Sequence, residues 1–187
     1  MPKTKSSQRI SRFMALVLRH EPDAANTVLD REGWTSVAEL LRGMSANGYA
    51  VTRDQLDAIV AEDAKGRYSF SSDGSKIRAN QGHSVDIQMT FEQLPPPPLL
   101  YHGTVSRSLD MIFRDGLRKM RRHHVHLSAD FQTATDVGAR RGRPIVLEVR
   151  AATMADDGYA FYRSSNGVWL VDAVPQIYLS IAFDHER

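Results

Sequence analysis

The sequence predicts an α+β fold in two domains. Apolar residues at helical spacing and capping-box patterns fill the front of the chain, a run of prolines interrupts it, and short strands alternate with helices behind. With 187 residues and 42% hydrophobic content, one domain or two small ones can each bury a core.

Ile10, Phe13, Met14, Val17 and Leu18 recur at helical spacing. The helix they define should stop near Arg19-His20, because Pro22 disfavours continuation. Arg19 and His20 therefore emerge at a helix C-terminus. Ser36-x-x-Glu39 ahead of Leu40 and Leu41, and Thr52-x-x-Gln55 ahead of Leu56, Ile59 and Val60, are capping boxes that start two further helices. Arg67 to Ser71, the turn Ser72-Asp73-Gly74-Ser75 and Lys76-Ile77-Arg78 then alternate as a β-hairpin. Helices followed by a two-stranded wing resemble a winged-helix module. Pro95 to Pro98 join neither a helix nor a central strand and favour stiff polyproline II geometry, so the domain boundary is placed there, giving domains 1–94 and 95–187.

Beyond the prolines, Leu99 to His102 reads as a strand, Ser106 to Arg114 as a helix closed near Gly116, and Val125 to Ser128 as a second strand. Phe131 to Ala139 reads as a helix, and Ile145 to Val149 is β-branched enough for a buried strand. Tyr159 to Tyr162, Val168 to Val171 and Ile177 to Ile181 are further strand candidates.

Composition removes several function classes. Cysteine is absent, which excludes disulfide frameworks, thiolate nucleophiles and Cys-ligated metal sites. No apolar run is long enough for a bilayer, and Met1-Pro2-Lys3-Thr4-Lys5 lacks the pattern of a signal peptide, so a cytoplasmic address with no membrane partner is expected. The net charge of +2 says little by itself. Its distribution says more: acids and bases balance up to Gln93, whereas Arg107 to Arg143 carries Arg114, Arg118, Lys119, Arg121, Arg122, Arg140, Arg141 and Arg143. Such a stretch is either a solvated face or a surface for an anion.

Tyr101-His102-Gly103-Thr104 and His124-Val125-His126-Leu127-Ser128 put histidines and small polar residues at two apparent strand ends, an arrangement suited to gripping a nucleotide. His124 and His126 alternate with Val125 and would share one strand face, so with His102 they offer an alternative three-histidine metal site. The neighbours favour ribose and amide recognition: Gly103 admits a ligand close to the backbone, and Thr104 and Ser128 supply hydroxyls. No metal is expected. Arg19, Arg67 and Arg122 fall at element ends or in loops, where a planar fork of donors suits a phosphate.

Leu18-Arg19-His20-Glu21-Pro22, Gly33-Trp34, Arg67-Tyr68, Ala79 to Ser84, Tyr101 to Thr104, Arg122 to Ser128, and Asp157-Gly158 through Phe161 to Leu170 follow one another in an order that resembles the NAD-dependent RNA 2′-phosphotransferases. The resemblance runs from about the first helix to Leu179. It implies an N-terminal winged-helix lobe and a C-terminal lobe of the ADP-ribosyltransferase fold. It also implies removal of an internal 2′-monophosphate from RNA, of the kind left at a spliced tRNA junction, by transfer to NAD. The phosphate attacks the anomeric carbon of the nicotinamide ribose and expels nicotinamide, giving a 2′-phospho-ADP-ribosylated RNA. The adjacent 2″-hydroxyl then attacks phosphorus, leaving 2′-hydroxyl RNA and ADP-ribose 1″,2″-cyclic phosphate.

In that resemblance the catalytic quartet falls on Arg19, His20, Arg67 and Arg122, the arginines holding phosphate and His20 acting either as acid and base or as a phosphate ligand. His102, Gly103, Thr104, His126 and Ser128 match positions that cradle the nicotinamide ribose and carboxamide, and Asn166 and Gly167 lie in a later motif of the NAD lobe. Asn80, Gln81 and His83 are expected to bridge the lobes, either contacting the RNA phosphate or, the favoured reading, tying wing to linker. NAD is consumed as co-substrate, the RNA is the partner, and a monomer is expected. Two rival readings are an ADP-ribosyltransferase for another acceptor and a non-catalytic winged-helix protein that senses NAD. The acidic residue common in protein-modifying members is not evident beside Val168, which argues against a protein acceptor.

Overall fold

The computed structural model of the chain describes residues 5–183. The Met1–Thr4 stretch read for a signal peptide lies outside them. The chain forms two compact units, Met1–Thr90 and Phe91–Arg187, and its elements are mixed α and β with small sheets.

The first unit opens with α1 (Lys5–Arg19), which buries Met14, Val17 and Leu18 and ends on Arg19, where a cation complements the helix C-terminus. Pro22 then starts a 3-10 turn, Pro22–Ala25. A short strand β1 (Thr35–Ser36) precedes α2 (Val37–Ala46), whose N-cap Ser36 accepts a hydrogen bond from the Glu39 amide. Helix α3 (Arg53–Ala61) begins with the full capping box: the Gln55 amide donates to Thr52 Oγ1 at 3.2 Å and the Thr52 amide donates to Gln55 Oε1 at 2.9 Å. The hairpin follows as β2 (Tyr68–Phe70) and β3 (Lys76–Ala79), with Tyr68 opposite Ala79 and Phe70 opposite Ile77. Sequence patterning missed β1, which pairs antiparallel with β3 and widens the hairpin to the order β1-β3-β2. Two residues are too few to show a period. The core joins Met14, Val17 and Leu18 to Leu40, Met44, Leu56, Tyr68 and Ile77. Burying each large apolar side chain contributes about 1.5–3 kcal/mol.

In the second unit β4 (Glu92–Gln93) pairs with β9 (Tyr162–Arg163), so residues ahead of the prolines already belong to its sheet. Strand β5 runs Leu99–Val105, followed by α4 (Leu109–Asp115), β6 (Leu117–Arg118), β7 (Val125–Leu127), α5 (Phe131–Ala139) and β8 (Pro144–Arg150). Helix α6 (Ala151–Asp156), β10 (Trp169–Val171), β11 (Ala173–Val174) and β12 (Leu179–Ile181) complete it. The sheets are β4-β9-β10-β7, β11-β6 and β12-β8-β5. A bridge between Tyr101 and Ser128 stitches β5 to the end of β7, with reciprocal bonds of 2.9 and 2.8 Å. Leu100, Leu127, Leu147, Val149, Met154, Phe161 and Trp169 form the core.

Several expectations need correction here. Strand β5 does not end at His102 but continues through Gly103, Thr104 and Val105, paired along its length with β8. Tyr159 to Phe161 are not strand, because the Tyr159 amide bonds back to Met154 O and closes α6; only Tyr162 and Arg163 pair. Gln176–Tyr178 is a 3-10 turn set up by Pro175, and the strand begins at Leu179. The helix expected from Ser106 starts as a 3-10 turn, Ser106–Ser108, before α4.

Candidate active site

In the first unit the predicted residues lie on the end of α1 and the turn ahead of β2. The Arg19 guanidinium carbon sits 5.9 Å from the centre of the Tyr68 ring, a cation–π approach. Arg67 precedes Tyr68 in the chain. Burial raises the Tyr68 phenol above its ordinary value, opposed by the charge of Arg19, by the Ser11 side chain and by the charge of Arg67, while the phenol itself donates to Ser11 O at 3.0 Å. Tyr68 is thus a neutral floor with both arginines beside it. His20 Nδ1 is 2.8 Å from Ser84 Oγ, and the Ser84 amide donates to Arg19 O at 2.8 Å. One serine therefore fixes both residues at the helix end.

The Asn80 to Ser84 segment supports the same place. Asn80, 4% exposed, donates its side-chain amide to Gly66 O at 2.7 Å, and its backbone amide donates to Arg67 O at 2.9 Å. His83 is buried, its ring against Gly33. Within the first unit, Asn80 and Ser84 join the segment after β3 to the turn carrying Arg67 and to the end of α1. Sequence reading also missed Asp63, 7% exposed, whose Oδ2 accepts the Arg67 amide at 2.7 Å and whose Oδ1 accepts Arg67 Nη1. Its signal was faint, since an acid four residues before an arginine normally reads as a surface helical pair.

In the second unit His102 lies inside β5, largely covered. Its Nδ1 is 3.1 Å from His126 O. A carbonyl only accepts, so Nδ1 carries the hydrogen and Nε2 keeps its lone pair. Burial lowers the His102 pKa, and the charges of Arg141 and Arg122 lower it further against that backbone bond, so the ring is neutral at neutral pH. Arg122 Nη1 is 3.3 Å from His126 Nδ1, a contact in which the guanidinium donates. Partial desolvation, and then the charges of Arg141 and Arg140, also lower the Arg122 pKa. The structure thus collects His102, His126 and Arg122, with Ser128 bonded to Tyr101 beside them.

Two readings of the sequence change. Gly103 does not open the backbone on its side-chain face: a Cβ there would meet Ala134 O at 1.8 Å, because α5 occupies that space. The three-histidine site is not formed. His124 precedes β7 and its ring packs against Phe91 at 5.7 Å and Tyr162 at 5.8 Å, while His102 is committed to the His126 carbonyl. Among the described residues no group of three or more His, Cys, Asp or Glu is arranged to hold a metal ion. Asn166 and Gly167 form the turn from β9 to β10, held by Ser164 Oγ donating to Asn166 Oδ1 at 2.7 Å and by the Gly167 amide donating to Ser164 O at 2.9 Å. Thr104 is buried in β5.

The basic stretch is partly spent internally. Arg114 pairs with Asp115, Arg118 donates to Asp115 O, and Lys119 pairs with Asp172 at 3.5 Å. Arg121, Arg140, Arg141 and Arg143 are exposed. No helix among the described residues is long and apolar enough to cross a membrane.

In each unit guanidinium groups stand beside imidazoles, a chemistry that suits anionic groups such as phosphate esters. Comparison with known proteins makes the class specific. The family described as RNA 2′-phosphotransferase, Tpt1 / KptA family, matches residues 5–173, and the chain belongs to that family. Its relatives include a probable RNA 2′-phosphotransferase of Nostoc punctiforme, 50% identical over 171 residues that cover 91% of this chain and 94% of the relative. Proteins of the same name from Burkholderia pseudomallei and Streptomyces coelicolor are 48% and 47% identical, over 91% and 95% of this chain and 93% and 96% of theirs.

Proposed function

We propose that this protein removes an internal 2′-phosphate from RNA, as the names of its relatives describe, and that the phosphate is transferred to NAD. In this reading the first unit is a winged-helix lobe for the RNA phosphate, and the second is an ADP-ribosyltransferase-like lobe for NAD. The enzyme acts as a cytoplasmic monomer on tRNA-like splice junctions.

The observation that carries the reading is the pairing of Arg19 and His20 by Ser84 beside the Tyr68 floor, with Arg67 next to it. Permanently charged donors held on a rigid support orient an anionic nucleophile and stabilise charge on phosphorus without reorganising. In the second unit Arg122 is a further guanidinium, beside His126, that the reading assigns to phosphate. In this reading His20 either binds the phosphate or exchanges a proton when an RNA 2′-oxygen leaves phosphorus.

The groups around His102 fit the recognition half of a nucleotide. Neutral His102 keeps Nε2 as an acceptor for a ribose hydroxyl or carboxamide N–H, and exposed arginines nearby favour an anionic ligand. His126, Ser128 and Thr104, the backbone of Gly103, and the Asn166-Gly167 turn complete the set assigned to NAD. NAD supplies the acceptor sugar carbon and the nicotinamide leaving group.

The test is incubation of the protein with a short RNA bearing one internal 2′-phosphate, with and without NAD. Loss of the phosphate and release of nicotinamide, both only when NAD is present, support the reading. Nicotinamide release with no change in the RNA phosphate points to a different acceptor, and no release overturns the transferase altogether.

A further inference from the structure

We infer that Asp63 is a positioning residue for Arg67, setting which edge of that guanidinium is presented to the RNA phosphate. The inference rests on the proposed phosphate role of Arg67. Asp63 stands just past α3, and its side chain is 3% exposed, whereas that of Arg67 is 26% exposed. A carboxylate so deeply covered is retained only when its oxygens are satisfied. Both are: Oδ2 takes the Arg67 amide and Oδ1 takes Nη1 of the same residue.

One acid thus grips one arginine at backbone and side chain together. The turn beneath it is fixed as well, since the Gly66 amide donates to Asp63 O at 2.7 Å and Gly66 O receives the Asn80 side chain. Gly66 takes φ +50°, a left-handed conformation that lets the chain return within this tight loop. The grip falls on Nη1. The edge formed by Nε and Nη2 is left to address an anion, and rotation of the guanidinium about its long side chain is stopped. An arginine ordered in advance gives up less entropy when it meets phosphate, and a misplaced donor loses its value in the transition state.

The test uses Asp63→Asn, Arg67→Ala and the double variant in the full chain. Asparagine keeps the shape and can still accept the backbone amide, but removes the charge that fixes Nη1. The measurements are turnover of 2′-phosphorylated RNA with NAD, and binding of that RNA relative to the same RNA without its 2′-phosphate, in the absence of NAD. D63N is expected to lower kcat/KM by about 100-fold, to reduce the phosphate-dependent part of binding, and to cost nothing more in an R67A background. Wild-type turnover by D63N, or losses from D63N and R67A that multiply, overturns the inference.

If the unaltered protein binds the phosphate but does not consume it with NAD, the transferase reading fails while the binding comparison still decides the role of Asp63. Should D63N not fold, the unaltered protein decides by NMR. A held Arg67 gives separate, slowly exchanging Nη proton signals, assigned by their absence in R67A, and a single averaged signal overturns the inference.

Discussion

A β-carbon on Gly103 would stand 1.8 Å from the carbonyl oxygen of Ala134, so helix α5 reaches β5 only because that side chain is missing. Gly138 answers from the helix, where a Cβ would stand 2.9 Å from Thr104 O. Strand and helix approach backbone to backbone, which holds His102 and Thr104 rigidly on either side of the contact.

Gly103→Ala should therefore destabilise the second unit by about 1–3 kcal/mol or more, as overpacking against an unyielding backbone does. Thermal or urea unfolding checks this, and an unchanged midpoint would show that α5 can move aside.

Arg67→Ala and Arg122→Ala should each lower turnover of 2′-phosphorylated RNA by about 100-fold, the usual loss when one electrostatic donor is removed from a transition state, about 3 kcal/mol. Near-normal dephosphorylation by either variant refutes its assignment. Circular dichroism accompanies the assay for R67A, because that change removes the Arg67 guanidinium from a buried carboxylate.

Acid should weaken the fold through His102 and His124. Burial lowers both imidazoles below their ordinary value, aided at His102 by Arg141 and Arg122 and opposed at His124 by Asp172. The unfolded chain then takes up protons first as pH falls through about 6.5. Stability is unaffected above that pH, declines below it, and levels off once the folded rings are protonated too. His124→Phe keeps a ring against Phe91 and Tyr162 but cannot titrate, so its melting temperature should fall less between pH 7 and 5. An unchanged acid slope would remove His124 from this account.

Turnover should also fall with ionic strength. Exposed Arg121, Arg140 and Arg143 are available to an RNA backbone, and log kcat/KM should decline with log salt at about 0.7 per phosphate contact on a single strand. Neutralising Arg140 and Arg143 should flatten the line; a flat response in the unaltered protein makes the basic stretch merely a solvated face.

Thr52→Ala should cost about 1 kcal/mol by removing the N-cap of α3. Chemical denaturation measures it directly.

Local chemistry made much of this molecule readable in advance. The capping box at Thr52 and Gln55, the stop of α1 at Arg19 before Pro22, the hairpin of β2 and β3, and the span Phe131–Ala139 all depend on neighbours within a few residues. The order of the motifs likewise identified the family, because each is a short contiguous string. Other features depend on residues distant in sequence, and only the tertiary structure decided them. Strand β1 exists because β3 is there to pair with it, and His102 takes one tautomer because the His126 carbonyl meets its Nδ1. Gly103 serves a helix, where the sequence suggested room for a ligand. Asp63 became visible as the partner of Arg67 once its burial was known, since a carboxylate in water and one held dry against a guanidinium read identically as letters.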